Sequence, residues 1–179
     1  LVASYVFYGF WDWRFLSLLL ISTVVDYWVG GALFRERHLS RRKMLLLVSC
    51  AVNLSFLGFF KYCNFFIDSA HGLLESLGFP ASTFHLNIIL PVGISFYTFQ
   101  SMSYTIDIYR KQLDPVRSFM DFALYVAFFP QLVAGPIERA TQLLPQIQQP
   151  RTMSRERFLS GGWLVFWGLF KKMVIADNL

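Results

Sequence analysis

Five polar side chains, Tyr97, Gln100, Ser103, Tyr104 and Asp107, recur at spacings of three and four within "LPVGISFYTFQSMSYTIDIYR" (90–110). That spacing places them on one face of a helix, continued by Arg110 and Lys111, with Phe96 as an apolar interruption. Polar groups on an otherwise apolar helix are costly toward lipid, so this face is expected to point inward. It serves either as hydrogen-bonded glue in a helix bundle or as the wall of a polar tunnel. Asp107, at its end, fits a structural partner for an arginine better than a base.

A second polar constellation is "FFPQLVAGPIER" (128–139). Pro130, Gly135 and Pro136 interrupt an apolar run that carries Gln131 and ends on Glu138 and Arg139. Proline removes a backbone donor and clashes with the preceding turn, so an unbroken helix is not expected here. Backbone broken at membrane depth is tolerated only where protein or a water-filled cavity satisfies it. The expectation is therefore a re-entrant or half-buried element lining a cavity. Glu138 and Arg139 either hold this loop as a local ion pair or contact a substrate at its mouth; the ion pair is the plainer reading.

Asp26 is a second acid inside an apolar run, with Ser22 and Gly30 at helical spacing from it. A carboxylate there is either a relay residue or one partnered from another helix, and the latter is expected. Ser49, Asn53 and Asn64 share a face further on and read as packing glue. Cys50 and Cys63 have no companion at metal-ligand or redox spacing and read as small buried residues. His38, His71 and His85 form no ligand pattern and none lies in a spanning segment. A P-loop, a dinucleotide fingerprint, a nucleophile elbow and a zincin motif are all absent.

The elements that must position these residues are membrane helices. Of 179 residues, 55% are hydrophobic and only 15% charged, against about a quarter charged in a soluble domain. Apolar blocks fall at 1–10, 15–34, 44–66, 87–109, 119–137 and 158–177. "WDWR" (11–14) suits a membrane interface. "RERHLSRRK" (35–43) holds five Lys/Arg against one Glu, and "RKQLDPVRS" (110–118) three more. The net charge of +5 follows from the positive-inside rule rather than from nucleic-acid binding. Residues 67–86 lack Lys and Arg and are expected on the other side, with "HGLLESLGFP" as a short surface helix. If 119–137 crossed the membrane, the basic segment 138–157 would violate the rule. If it enters and returns, the loops 35–43, 110–118 and 138–157 all stay cytoplasmic. Lys171 and Lys172 snorkel, or make the last helix partly interfacial. The fold class is thus all-α, a polytopic transmembrane bundle with a broken segment near 119–137. It forms one membrane-embedded domain over 1–179, and both ends read as cut from a larger protein.

Two stretches, "LPVGISFYTFQSMSYTIDIYR" and "FMDFALYVAFFPQLVAGPIER" (119–139), in this order and spacing, resemble the membrane-bound O-acyltransferase family, above all its alginate O-acetylating branch. "FFKYCNFF" (59–66) and "FKKMVIADNL" (170–179) are similar to the same group. The resemblance implies a multi-pass protein of the bacterial inner membrane with a tunnel through its middle. It implies transfer of an acetyl group from a cytoplasmic donor, acetyl-CoA or an acyl carrier, to a hydroxyl of an exported polysaccharide such as alginate. It also implies extracytoplasmic acetyltransferase or export partners, with no bound cofactor or metal. In a related branch the group is D-alanine and the acceptor teichoic acid. The family's catalytic His belongs to a Trp/Arg-rich segment with no counterpart here, so no catalytic residue is assigned within the chain. On this reading Tyr97, Gln100, Tyr104, Asp107, Pro130, Gln131, Gly135, Pro136, Glu138 and Arg139 are candidates for the substrate path. A transporter or flippase is the competing class, because discontinuous helices build substrate sites there too; it should carry an inverted repeat, and none is visible.

Overall fold

The computed structural model describes residues 1–78, 89–136, 138–150 and 152–178. Among these the regular structure is entirely helical. The chain divides into two compact units, Leu1–Gln148 and Gln149–Leu179. Among the described residues three helical stretches are long and apolar enough to cross a membrane: Val2–Arg35, Leu39–Ser76 and Arg155–Asn178.

In the first unit, α1 (Val2–Asp12) ends where Asp12 turns to extended backbone, φ −163°. The Asp12 carboxylate accepts the Arg14 amide at 3.0 Å and pairs with its guanidinium at 2.6 Å. This cap sits at the expected interfacial "WDWR". A 3-10 turn, Trp13–Phe15, then leads into α2 (Leu16–Arg35).

The basic segment after α2 is tighter than a loop over 35–43. Arg35 closes α2, and α3 (Leu39–Leu57) already contains Arg41, Arg42 and Lys43. A π turn, Gly58–Tyr62, joins α3 to α4 (Cys63–Ser76). The expected separate surface helix at "HGLLESLGFP" is instead the end of α4. Its apolar face continues the preceding helix without a breaker until Gly78, at φ +81°. Pro80 lies outside the described residues.

The fourth span is shorter than its apolar run. Its helix, α5 (Ile94–Tyr109), starts after Gly93 at φ +74°. A Cβ on Gly93 would meet the Leu132 carbonyl oxygen at 3.1 Å, so this left-handed, crowded position suits glycine alone. Residues 87 and 88 lie outside the described residues.

Segment 119–137 is broken at Gly135 and Pro136, as expected, and again ahead of Pro130 rather than at it. Helices α6 (Phe119–Val126) and α7 (Phe129–Ala134) part at Ala127 and Phe128. Pro130 lies in the first turn of α7, where no amide hydrogen is needed, so it helps start a helix rather than end one. Gly135 ends α7. At about 1.5 Å per residue neither helix spans a bilayer core of about 30 Å. Ile137 lies outside the described residues. Segment 138–157 is not plain loop, since it holds α8 (Ala140–Gln148).

α5 is the hub of this unit. One side packs on α2 and α3, the other on α6 and α8. Gly30 permits the α2–α5 crossing: a Cβ there would lie 2.7 Å from Tyr104 Cε1. The core gathers Tyr97, Tyr104, Phe122 and Tyr125, all fully buried.

In the second unit, Ser154 caps α9 (Arg155–Phe170) by accepting the Arg157 amide at 3.2 Å. A π turn, Lys171–Ile175, follows. The Lys171 ammonium lies 5.4 Å from the Trp167 ring centroid, a cation–π contact that suits an interfacial lysine.

Candidate functional site

The polar face of α5 lies against the broken segment. Tyr97, Gln100, Tyr104 and Asp107 are all buried along it, and Ser103 is half-buried. The Gln100 amide donates to the Tyr125 carbonyl at 2.8 Å, and the Tyr125 hydroxyl lies within reach of the Gln100 carbonyl at 3.2 Å and the Glu138 carbonyl at 3.4 Å. One tyrosine on α6 thus joins the α5 face to the start of α8. The Tyr104 hydroxyl accepts the Val116 amide at 3.1 Å, tying the 110–118 connection to the same face.

Among the described residues, Gln100 Oε1 and Asp107 Oδ2 on this face, and Gln131 Oε1 on α7, are buried without a hydrogen-bond partner. A buried polar group left unmatched costs about 1–3 kcal/mol. The Thr98 and Tyr5 hydroxyls, off this face, are unmatched as well among the described residues, and water or substrate groups can supply partners for such atoms. The expected arginine partner of Asp107 does not appear among the described residues. Nearby Arg110 follows the end of α5 and is exposed.

The remaining candidates divide. Gln131 is buried on α7, and its amide donates to the Pro136 carbonyl at 2.8 Å, closing the Gly135–Pro136 corner. Gly135 fits there because a Cβ would lie 2.9 Å from the Gln131 backbone. Pro130, Pro136 and Arg139 are exposed, and Glu138 is half-buried. Among the described residues Glu138 and Arg139 form no ion pair. They hold the corner by backbone instead: Glu138 through Tyr125, and Arg139 by accepting the Gln142 and Leu143 amides at the start of α8.

A second buried cluster joins α2, α3 and α5. Asp26 accepts from the Ser49 hydroxyl on Oδ1, and from the Ser101 hydroxyl and the Asn53 amide (2.8 Å) on Oδ2. Ser22 donates to Asn53 at 2.6 Å, and Thr105 Oγ1 lies 3.1 Å from Ser49 Oγ. Every one of these residues is fully buried. Asp26 therefore has partners on other helices, as expected, but they are neutral donors rather than a cation. Ser101 and Thr105 lie beside the polar stripe at spacing four, which is the sequence signal for them.

Arg42 is the other residue that sequence reasoning passed over. Its buried guanidinium donates to the Leu33 and Glu36 carbonyls at the end of α2, and to the Ile108 and Tyr109 carbonyls at the end of α5. It reads in sequence as one more cytoplasmic charge.

No histidine joins either cluster among the described residues. His38 precedes α3 and is exposed, and His71 lies 3.7 Å from Glu75 on α4. His85 lies outside the described residues. Among the described residues no group of acids, cysteines and histidines could hold a metal ion.

Over its whole length the chain is similar to curated proteins of bacterial polymer acetylation. It is 42% identical over 183 residues to the probable alginate O-acetylase AlgI of Pseudomonas syringae and 43% identical to that of Azotobacter vinelandii. It is 34% identical over 203 residues to the peptidoglycan O-acetyltransferase of Helicobacter pylori. The match covers 99–100% of this chain but 34%, 36% and 38% of those relatives, so the chain spans about a third of their length. No family model and no solved structure matches it.

Proposed function

We propose, for a chain that belongs to the membrane-bound O-acyltransferase family, that it forms part of a membrane enzyme moving an acetyl group onto a hydroxyl of an exported polysaccharide. The donor is a cytoplasmic acetyl thioester, acetyl-CoA or a loaded carrier. The acceptor is a polymer such as alginate, made available with the help of extracytoplasmic partners. Acetyl is preferred to D-alanyl because the similar proteins are named for O-acetylation.

The observation that carries this reading is the polar face of α5 set against a broken segment, with Gln100, Asp107 and Gln131 each holding a buried polar atom unmatched among the described residues. A charged donor and a remote polymer need a polar route through lipid, and lipid offers no partners for such atoms. The chemistry itself needs a base to take the acceptor's proton as its oxygen attacks the thioester carbonyl and the thiol departs. Neither described histidine is placed for that, so the base is supplied from outside these residues. The contribution of this chain is to line and shape the route. The three basic segments, 35–43, 110–118 and 138–157, mark the cytoplasmic mouth in the inner membrane.

The test is made in the full-length protein at matched membrane abundance. Gln100→Leu and Asp107→Leu are each expected to lower polysaccharide O-acetylation about tenfold, equal to about 1.4 kcal/mol of barrier. Unchanged acetylation in both variants removes this face from the reaction.

A further inference from the structure

A cavity of about 640 Å³ opens at the basic end of α2, between it and the 110–118 connection. Its apolar wall comes from Trp28, Gly31 and Phe34, its rim from Arg35, Asp114 and Arg117. The wall belongs to the outer side of α2. Trp28 is 70% and Phe34 58% exposed, whereas Asp26, Gly30 and Leu33 on the other side are buried. In a membrane helix that outer side meets lipid. Among the described residues nothing outside the helix itself lies within 4 Å of where a Gly31 Cβ would stand, so the groove is open at its centre. The rim is fixed in place: the Tyr27 hydroxyl donates to the Arg117 carbonyl at 2.7 Å. Among the described residues neither Arg35 nor Arg117 forms an ion pair.

We propose that this groove binds an anionic phospholipid of the cytoplasmic leaflet, its acyl chain along Trp28, Gly31 and Phe34 and its phosphate between Arg35 and Arg117. Three features select that occupant. The groove runs from lipid-facing apolar residues to the polar edge, which is the layout of a lipid and not of a water-soluble anion. Arginine offers a planar fork of donors suited to phosphate, and basic pockets beside cytoplasmic helix ends recruit anionic headgroups. Asp114 on the same rim disfavours a second phosphate but accepts a hydroxyl, so a phosphoglycerol headgroup fits better than a bare phosphate. Arg37, Arg41, Arg110 and Lys111, exposed and near the rim residues in sequence, raise the local anion concentration.

Native mass spectrometry of the detergent-solubilised full-length protein, titrated with phosphatidylglycerol or phosphatidylcholine, tests this. Phosphatidylglycerol is expected to be retained in preference. Arg35→Gln with Arg117→Gln should weaken its retention about tenfold and leave phosphatidylcholine unchanged. Gly31→Leu fills the groove without altering charge and should weaken retention as well. Both arginines are exposed and Gly31 faces open space, so these variants leave the helix packing intact. Equal retention of the two lipids, or no effect of any variant, overturns the proposal. So does displacement of phosphatidylglycerol by millimolar inorganic phosphate, which would assign the rim to a soluble anion.

Discussion

Gln100 on α5 and Tyr125 on α6 are reciprocally joined: each side chain bonds the other's backbone carbonyl, at 2.8 Å and 3.2 Å. The two bonds use different atoms, so they come apart in different variants. Gln100→Leu removes the amide donor to the Tyr125 carbonyl but keeps the carbonyl that the Tyr125 hydroxyl reaches. Tyr125→Phe does the opposite, and also drops the contact to the Glu138 carbonyl. Each is expected to cost about 1 kcal/mol in thermal unfolding of the full-length protein in detergent. The double variant should cost their sum. A shortfall approaching half the sum would mean that the pair acts as one unit.

Much of this joint was legible from spacing, and its partner was not. The three-and-four pattern of Tyr97, Gln100, Tyr104 and Asp107 put them on one helix face, where the structure has them. Tyr125 gave no periodic signal, because α6 is only eight residues long and its role comes from a contact across elements. The same limit applies to Asp26. Its burial was readable from the apolar run around it, but Ser101 is 75 residues away in sequence. Pro130 misled for a local reason: its rule concerns helix interiors, and the chain had already broken two residues earlier. Arg42 misled because a lone basic residue in a basic stretch carries no sign that it is buried.

Asp26 holds three donors from two other helices, so shape and charge are separable there. Asp26→Ala leaves Ser49, Asn53 and Ser101 without their acceptor. At about 0.6 kcal/mol per interhelical bond in membrane bundles, the loss should be about 2 kcal/mol. Asp26→Asn keeps the shape and one acceptor oxygen and should lose about half as much. Unfolding in detergent measures both. An Asn variant as unstable as the Ala variant would show that the charge, rather than the acceptor count, holds the junction.

Glu36 supplies a pH-dependent contact outside the spanning segments. The His38 backbone amide is the main cause, with the Arg37 amide also donating to Oε1, both at 2.9 Å. They hold its carboxyl below the ordinary value of 4.5. A depressed acid stabilises the folded chain fully above that ordinary value, and its contribution fades as pH falls through the lower folded value. The expected outcome is a loss of helix order at the start of α3 on acidification below about 4.5, read by hydrogen exchange of residues 37–42. Glu36→Gln should make exchange there independent of pH, after correction for the intrinsic rate. A persisting acid step in that variant would assign the titration elsewhere.

Arg42 closes the basic end of two helices at once. The last carbonyls of an α-helix have no partner within it and carry the negative end of its dipole. One guanidinium, only 7% exposed, meets those of α2 and α5 together. Its position 5.5 Å from the Tyr109 ring centroid adds a cation–π contact. Arg42→Met keeps the bulk and loses every donor, and should cost about 3 kcal/mol. Arg42→Lys keeps the charge but loses the fork, so it should recover less than half of that. Hydrogen exchange should rise at the ends of both α2 and α5 in the Met variant. Faster exchange at one end alone would mean that the arginine caps a single helix, and full recovery by lysine would mean that charge without geometry is enough.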